Sequence, residues 1–448
     1  MKRTIGPLDQ RRRITRCQPC ATRRIKCEGG PPCEYCIRTG KICQAQRVKH
    51  AEIGFIFSAE STKSSPMILV PQQVHSPTHA VYLDHFADFL HQSHFTREFA
   101  SVHGDLVPLV SRSPPLWHIA VAIGSLRASR RCSVRSLSRH KSTHYVALKS
   151  YGASIQALQF QISRGLSACE EDTLWCTFLL GLFELMTKTS ADEWAKHMVF
   201  GTSQILQSMK NTKRFPSWQK LFKAFQILEI NRTILYGEST MLSQDGWPVS
   251  GDSMPFQKND GWDSVGTILT LMMKTSSFSH SLFSQTESLT GCLVDVDLTL
   301  DALATQGIEL QKEIMQWQSK NEPLTDITEA PCGLAMANFH GLLLFHCKNF
   351  TYHSFWRESL IPSLQEYEIE KHVDAILERS DRLLRSSGIP GVLLLFPLRM
   401  AGANVSEDSK KRKILKLLDR IYQMGFVVAD IIRIDLEDIW RYQALQSC

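Results

Sequence analysis

The 448-residue sequence lacks several features that define large classes of protein. No apolar run reaches the roughly 18 to 20 residues that a transmembrane helix needs. The basic N-terminus, MKRTIGPLDQRRR, has no apolar core of the kind found in secretory signals. The chain also lacks the catalytic motifs G-x-S-x-G, G-x-x-x-x-G-K-S/T, G-x-G-x-x-G and H-E-x-x-H. We therefore expect a soluble intracellular protein that is not an enzyme, has no membrane partner and has no catalytic residues.

Most of the chain also lacks an excess of positive charge, which is confined to the N-terminus. Residues 1–50 hold 13 Lys or Arg and 3 Asp or Glu, a net of +10, whereas the other residues sum to −3 within a total of +7. A basic segment on a near-neutral body is typical of nucleic-acid binding, because neutralised phosphates release their condensed counterions. A basic tail for acidic membranes is the alternative, but such a tail would carry an amphipathic apolar face, which this segment lacks.

Six of the 13 cysteines lie within residues 17–43, with the spacing C-x2-C-x6-C-x5-C-x2-C-x6-C. A shift of sixteen residues superposes the first three cysteines on the last three, so the segment is an internal duplication. The duplication indicates two similar metal-binding halves, and the candidate ligands are Cys17, Cys20, Cys27, Cys33, Cys36 and Cys43. The other seven cysteines are scattered singly and are expected to be small core residues.

Two interpretations of the cysteine array compete. Three disulfides would need an oxidising compartment, which the missing secretory signal argues against. Zinc ligation suits a reducing interior, and a C-x-x-C pair can direct both sulfurs at one ion. A single zinc would leave two cysteines unused, whereas six cysteines satisfy two tetrahedral zinc ions if two of them bridge. The repeat favours Cys17 and Cys33, the first cysteine of each half, as the bridging pair.

The cysteine segment resembles the fungal Zn(II)2Cys6 binuclear-cluster transcription factors. All five cysteine intervals fall within the range of that family, and Arg23, Arg24 and Lys26 match its short basic helix. Pro31 matches the proline that shapes the loop between the halves, whereas Ala21 departs from a position that is basic in many members. The resemblance implies two zinc ions per chain, a nuclear location and sequence-specific binding of double-stranded DNA that regulates transcription by RNA polymerase II.

The two halves of the duplication differ in charge. The first half carries Arg23, Arg24 and Lys26, whereas the second carries only Arg38 and Lys41, so we expect the first half to face DNA. Modules of this type place a short helix in the major groove, where Arg can pair with guanine O6 and N7. By resemblance, Arg24 reads bases with Arg23 beside it, Lys26 contacts phosphate, and the target is a CGG-type triplet.

Further arginines, Arg12, Arg13 and Arg16 among them, precede the cluster. We interpret them as contacts to the DNA backbone that add affinity without sequence choice. A solvated basic tail or a nuclear-import signal is the alternative, and these uses can coexist.

The sequence predicts a basic arm at residues 1–16, the cluster at 17–43, a flexible linker at 44–77 and a large helical domain at 78–448. The linker contains Pro66 and Pro71 and shows no sustained heptad of apolar residues, so it lacks the coiled coil that many relatives use to dimerise. A homodimer, if one forms, is expected to assemble through the large domain. Transcriptional co-regulators are the other protein partners that the resemblance suggests.

The large domain shows helical rather than alternating apolar spacing, which predicts an all-α fold. Three stripes illustrate the spacing: Tyr82, Phe86, Phe89 and Leu90; Trp117, Ala120, Val121 and Ile123, after Pro114 and Pro115; and Tyr145, Leu148, Tyr151, Ile155 and Leu158. The acidic residues Glu170, Glu171 and Asp172 precede another helix, and further helical patterns cover about 192–210, 217–236, 265–273, 298–318, 332–348, 367–386 and 410–440.

Several segments of this domain resemble the fungal-specific regulatory domain that follows the cluster in many of these factors. They are YLDHFADFL, PPLWHIAVAIGSL, Trp194-x-x-His197-x-x-x-Gly201, LFPLRMAG and a closing helix that ends at Trp440. The resemblance thus implies a small zinc-cluster module followed by a large all-helical regulatory domain.

Some residues of the large domain invite a functional interpretation, but a structural one is favoured for each. His197 is expected to be a hydrogen-bonded core residue, and Gly201 to permit close helix packing. Asp84, Asp88 and His91 are more typical of a solvated helix face than of a metal site, and the same holds for the run 410–413, KKRK, against a second import signal.

Two functions of other classes stay open from the sequence alone. One is an enzyme that carries a zinc-binding appendage, and the other is a zinc-stabilised module that binds RNA or protein on a helical scaffold. The concentration of basic residues inside the first cysteine half argues against a purely structural zinc site.

Overall fold

A computed structural model describes residues 33–39, 77–131, 137–164, 171–187, 201–208, 217–238, 261–289, 296–321, 329–351 and 361–446, together with residues 240, 242 and 356. The chain divides into two compact units, Met1–Gln72 and Gln73–Cys448. Across the described ranges the regular structure is helical and includes no β-strand. The prediction of an all-α fold is therefore confirmed for this part of the chain.

The described part of the first unit contains one short helix, α1 (Glu34–Arg38). The helices described in the second unit are α2 (Pro77–Gln92), α3 (Val102–Arg112), α4 (Pro114–Arg131), α5 (Leu137–Ser163), α6 (Glu171–Thr187), α7 (Ser203–Ser208), α8 (Trp218–Tyr236), α9 (Gly261–Leu289), α10 (Val296–Asn321), α11 (Ala330–Thr351), α12 (Glu366–Ser386), α13 (Leu395–Ala403), α14 (Asp408–Gln423) and α15 (Ala429–Gln446). Short 3₁₀ helices occupy Glu98–Ser101 and Gly391–Leu394. Of the described helices, none is by itself long and apolar enough to span a membrane, although α3 and most of α4 reach the threshold together with a 120° bend between them.

Helices α2 and α4 pack closely, and their contact follows from the predicted apolar stripes. Helix α4 begins at Pro114, as the Pro-Pro pair predicts, because proline suits the first turn of a helix. The stripes that include Phe86 and Ile123 are buried. A Cβ atom at Gly124 would lie 1.8 Å from the carbonyl oxygen of Tyr82. Only glycine therefore allows α4 to approach the backbone of α2 this closely.

Helix α5 packs against α4 along one side and leaves the other side exposed. Ala147 and Leu158 are buried, whereas Tyr145 and Leu148 are exposed. The predicted helix is confirmed, but the N-terminal part of its apolar stripe does not face the core. The reason is helical geometry, since Tyr145 and Leu158 are thirteen residues apart and point in different directions at 3.6 residues per turn.

Helix α6 is joined to two neighbouring helices through its acidic first turn. It begins at Glu171, as the acidic triplet predicts. The hydroxyl of Ser113, just before α4, donates to Asp172 Oδ2 at 2.7 Å, and the hydroxyl of Ser217, just before α8, donates to Glu171 Oε1 at 2.5 Å. Ser217 Oγ also accepts a hydrogen bond from Trp175 Nε1 at 2.8 Å. These side chains fix where α4, α6 and α8 meet.

Helix α11 lies at the centre of the C-terminal half, in contact with α9, α10, α12 and α13. It is buried along nearly its whole length, and Phe339 stacks on Trp317 of α10 with ring centroids 5.7 Å apart. Helix α12 is amphipathic and begins with a capping box between Gln365 and Glu368. The segment LFPLRMAG forms α13 and is buried throughout.

The predicted pattern over 410–440 is wrong in one respect, because it contains two helices rather than one. Helix α14 ends at Gln423 and α15 begins at Ala429. Gly425 in the connection has a φ of 116°, which disfavours any other residue. The connecting residues Phe426 and Val428 are buried, so the apolar pattern continues across the break and does not reveal it.

Candidate functional site

The described part of the first unit is the start of the second half of the cysteine duplication. Cys33 immediately precedes α1, and its carbonyl oxygen accepts a hydrogen bond from the backbone N–H of Ile37 at 3.0 Å. Cys36 lies three residues further on, inside the single turn of the helix. Both cysteines are 1% exposed, whereas Ile37 is 65% exposed. Helix α1 therefore turns both cysteines inward and Ile37 outward.

Cys33 and Cys36 fit the requirements of a pair of zinc ligands. Residues three apart lie on the same side of a helical turn, so Cys33 at the residue before α1 and Cys36 within it are expected to point to the same side. Thiolates are preferred donors for zinc, and burial shields them from solvent. A zinc ion held by such residues would supply folding free energy to a segment too short to build a large apolar core.

The other predicted ligands and the predicted DNA contacts lie outside the described residues. They are Cys17, Cys20, Cys27 and Cys43 for zinc, and Arg12, Arg13, Arg16, Arg23, Arg24 and Lys26 for DNA. Pro31 and Ala21, which bear on the resemblance, and His197 also lie outside them.

In the described ranges of the second unit, no three His, Cys, Asp or Glu side chains are grouped so that they could hold a metal ion. Asp84 is exposed, and the ring of His91 lies against that of His103 with centroids 4.5 Å apart. These observations agree with the interpretation of Asp84, Asp88 and His91 as a surface face of α2.

The scattered cysteines that the structure describes are core residues, as predicted. Cys176, Cys332 and Cys347 are all buried. Desolvation raises the pKa of both Cys176 and Cys347 to about 12, and it also raises the pKa of Cys332. These thiols stay protonated near neutral pH and are therefore poor nucleophiles and poor metal ligands.

Gly201 behaves as the sequence predicts. A Cβ atom at this position would lie 2.4 Å from Thr177 Cγ2 of α6. Glycine is therefore required for the close approach of the segment before α7 to α6.

The basic run at 410–413 is only partly a solvated face. Lys410 Nζ lies 2.8 Å from Asp374 Oδ1 of α12, and Lys411 Nζ lies 5.7 Å from the ring centre of Trp440. Arg412 and Lys413 are exposed. Half of the run is thus engaged in contacts between helices.

A buried ion-pair network, which the sequence interpretation missed, lies at the C-terminal end of α8. Arg232 Nε donates to Glu229 Oε2 at 2.9 Å, and Arg232 NH1 donates to Glu238 Oε2 at 2.5 Å. Both Arg232 and Glu229 are 1% exposed. Burial alone would lower the pKa of Arg232, but hydrogen bonds and charges from Glu229 and Glu238 raise it, so the guanidinium stays charged. The i,i+3 spacing of Glu229 and Arg232 is the one sequence signal for this pair.

A histidine pair that the sequence interpretation also missed connects α11 to α12. The Nδ1 atoms of His340 and His372 lie 2.8 Å apart, so one ring donates a hydrogen bond to the other. Desolvation lowers the pKa of both rings, and the pKa of His340, which the nearby His372 lowers further, lies well below its usual value. The pair is therefore neutral near pH 7.

Comparison with known proteins identifies the second unit. Residues 80–447 match the model of the family described as fungal specific transcription factor domain. The chain belongs to this family. The fungal-specific transcription factor domain includes the described helices from α3 to α15 and most of α2, together with every segment that resembled a regulatory domain in the sequence. Membership indicates a function in transcription regulation and implies that the chain is not an enzyme.

One curated relative matches over a short stretch. A segment of 32 residues is 59% identical to the aurofusarin cluster transcription factor aurR2 of Gibberella zeae. This segment spans 7% of the chain and only 5% of that protein, so the similarity does not extend to the rest of either sequence. No solved structure matches the chain.

Proposed function

We propose that the chain is a zinc-dependent, sequence-specific DNA-binding transcription factor that regulates transcription by RNA polymerase II in the nucleus. The observation that carries this proposal is the buried pair Cys33 and Cys36 on one side of α1, within a basic, duplicated cysteine segment. The same chain contains a fungal-specific transcription factor domain, and the short match to a protein named as a transcription factor supports the same function.

In this proposal two zinc ions are held by Cys17, Cys20, Cys27, Cys33, Cys36 and Cys43. The sixteen-residue repeat predicts that Cys17 and Cys20 are arranged like Cys33 and Cys36. Six thiolates around two divalent cations leave a formal charge of −2, which nearby Arg and Lys side chains offset. The zinc ions supply folding free energy and take no part in base recognition.

The orientation of α1 indicates where the basic residues of the first half would lie. Thr39, directly after α1, is exposed, and the repeat aligns it with Arg23. Arg23 and its neighbour Arg24 would therefore be on the outside of the cluster, where they can reach DNA. We propose that Arg24 reads guanine in a CGG-type triplet with Arg23 beside it. Lys26 and the arm residues Arg12, Arg13 and Arg16 would contact the DNA backbone.

Double-stranded DNA is thus the primary partner in this proposal. A homodimer would form through the large helical domain, because the segment after the cluster has no heptad repeat. Transcriptional co-regulators would bind to the same domain.

Metal analysis of the full chain tests the zinc cluster. We expect two zinc ions per chain, and we expect Cys36→Ser to lose zinc because one ligand is removed. Cys176→Ala is the matched control, since this cysteine is equally well buried but lies in α6, and it should retain both ions. A stoichiometry of one zinc per chain would contradict the bridged arrangement, and equal zinc content in the Cys36→Ser variant would contradict the ligand assignment.

A further inference from the structure

The segment between Asp105 and Glu170 is strongly basic, although the chain after residue 50 has a net charge of only −3. These 64 residues carry nine Lys or Arg and no Asp or Glu, a net of +9. The rest of residues 51–448 carry 29 Lys or Arg and 41 Asp or Glu, a net of −12, so the two parts sum to −3. The positive segment comprises the end of α3, the whole of α4 and the whole of α5.

The basic side chains that the structure describes in this segment are not neutralised by carboxylates. Arg112, Lys149 and Arg164 are exposed, and among the described residues none of them forms an ion pair with Asp or Glu. Arg130 Nη2 donates to the carbonyl oxygen of Met186 at 2.6 Å, while its buried Nη1 has no hydrogen-bond partner in the described ranges. Elsewhere in the second unit ion pairs are common. The positive charge of this segment is therefore left for a partner to neutralise.

The outward side of α5 has the composition of a surface that binds phosphate groups. At 3.6 residues per turn, an arc of roughly 100° contains five exposed side chains, which are Tyr145, Lys149, Gln156, Gln159 and Phe160. Arg164, directly after α5, lies over the Phe160 ring with its guanidinium 4.5 Å from the ring centre. Lys, Arg, Gln and Tyr side chains all donate hydrogen bonds to phosphate oxygens in protein–DNA complexes. We refer to these six residues as the α5 basic surface.

The acidic side chains of the neighbouring helix α6 contact the inner side of α5. Glu184 is buried and accepts a hydrogen bond from Tyr151 at 2.8 Å, and Asp172 accepts one from Gln161 at 3.2 Å. Tyr151 and Gln161 both lie outside the outward arc. Helix α5 itself contains no Asp or Glu. The α5 basic surface therefore remains positive.

The phosphate backbone of double-stranded DNA is the partner that these observations favour. A cationic surface that neutralises closely spaced phosphates gains free energy from the release of condensed counterions. Because the chain is already proposed to bind DNA through its cysteine segment, phosphates outside the base triplet would be present at a high effective concentration. An anionic membrane is a poorer fit, since Gln156 and Gln159 interrupt the apolar residues that would have to insert into it.

We propose that the α5 basic surface contacts the phosphate backbone of DNA outside the triplet that the cysteine segment reads. The inference rests on the proposed function for the first contact and adds a second, sequence-independent contact made by the family domain. This second contact raises the affinity and its salt dependence, and it leaves the preferred triplet unchanged.

Duplex length separates the two contacts. The zinc-loaded full chain is titrated with a short duplex that holds little beyond the triplet, and with a duplex several helical turns long that contains the same triplet. The long duplex should bind more tightly and show a steeper slope of log K against log salt concentration. Lys149→Gln combined with Arg164→Gln removes two phosphate contacts. On the long duplex this variant should lower the slope by about two and the affinity by at least about tenfold at about 0.1 M salt, with no change on the short duplex.

Arg412→Gln combined with Lys413→Gln is the matched control, because it removes the same two charges from exposed side chains of α14. It should leave the slope on the long duplex unchanged, and thermal unfolding curves check that both variants are folded. A photo-crosslinking amino acid at position 156 gives a second readout. It should link to the long duplex, whereas the same amino acid at position 413 should not.

Three results would overturn the proposal. They are an unchanged slope in the Lys149 and Arg164 variant, an equal reduction in the control variant, and no crosslink from position 156. Binding to vesicles of anionic lipid that this variant loses, without any change of slope on DNA, would assign the surface to a membrane instead. Failure of the proposed function has a different signature. The long duplex would then bind without preference for a triplet, while its slope would still fall in the Lys149 and Arg164 variant.

Discussion

Arg24 and Arg12 carry the same charge but have different tasks in the proposed DNA complex. Arg24→Ala should reduce discrimination between triplets by about 1–3 kcal/mol, because it removes paired hydrogen bonds to one base. Arg12→Ala should weaken binding to all sequences alike, because it removes a phosphate contact. It should also reduce the slope of log K against log salt concentration by about one. Titration of a panel of duplexes at several salt concentrations measures both effects. A uniform loss of affinity in both variants would show that Arg24 does not read bases.

Gly124 is the residue on which the contact between α2 and α4 depends most directly. Gly124→Ala would place a methyl group 1.8 Å from the carbonyl oxygen of Tyr82, so one helix must move. We expect the free energy of unfolding to fall by about 1–3 kcal/mol despite the better helix propensity of alanine. Gly104→Ala in α3 is the control, since nothing lies within 4 Å of a Cβ there, and it should be neutral or stabilising. Equal effects in urea unfolding would contradict the close packing.

His346 makes the stability of the helical domain depend on pH. Its Nε2 donates to the carbonyl of Gly307 at 2.8 Å, and burial lowers its pKa from 6.5 to about 4. Because the folded pKa lies below the unfolded value, the unfolded chain binds the proton first as the pH falls. The contribution of His346 is therefore complete above pH 6.5 and is lost progressively towards pH 4.

Urea unfolding at two pH values measures this effect. From pH 7 to pH 5 we expect His346 to account for a loss of about 2 kcal/mol in the free energy of unfolding. His346→Gln can keep the hydrogen bond to Gly307 but does not titrate. Between pH 7 and pH 5 the free energy of unfolding of this variant should therefore fall by about 2 kcal/mol less than that of the unchanged chain. His340, whose pKa is also lowered by burial and by His372, acts in the same direction and remains in the variant. An identical pH dependence in both proteins would exclude His346 as a titrating group.

At the scale of single elements, the end of α8 depends on a pair of buried charges. Glu229→Leu would leave the guanidinium of Arg232 buried without its main partner, so we expect a loss of about 3–5 kcal/mol in the free energy of unfolding. Glu238→Gln removes a partner that is 59% exposed and should cost less than about 1 kcal/mol. The double change Glu229→Leu with Arg232→Met should recover much of the loss, because no unpaired charge is left. Denaturation curves that rank these variants differently would argue against the network.

The sequence predicts the type and start of many elements because local signals determine them. Pro114 and the acidic residues before Leu174 mark helix starts that the structure confirms. The break at Gly425 could not be predicted, since the buried residues that follow it continue the apolar pattern. Which side of α5 is buried was also beyond prediction, because spacing shows that Tyr145 and Leu158 point in different directions but not which of them a neighbouring helix covers.

The same distinction applies to the candidate site. The spacing of Cys33 and Cys36 predicts that they act as a pair, and both residues are buried, the first directly before α1 and the second within it. By contrast, His340 and His372 come together across two helices and 32 residues of sequence. Periodicity gives no information about which polar residues meet between helices, so such pairs emerge only from the packed structure.

At the scale of the whole molecule, the excess positive charge and the apolar core lie in different parts of the chain. The net charge of +10 lies in residues 1–50, whereas the apolar core described by the structure belongs almost wholly to the family domain at 80–447. Such a division suits a protein in which a small basic module contacts nucleic acid while a large helical domain regulates it or recruits partners.

Selection of bound duplexes from a random pool by the full chain tests zinc-dependent, sequence-specific DNA binding most directly. We predict that the zinc-loaded protein enriches a CGG-type triplet, and that removal of zinc by a chelator abolishes the enrichment because the cluster unfolds. A pool without any enriched motif, or the same enrichment after zinc removal, would contradict the proposed function.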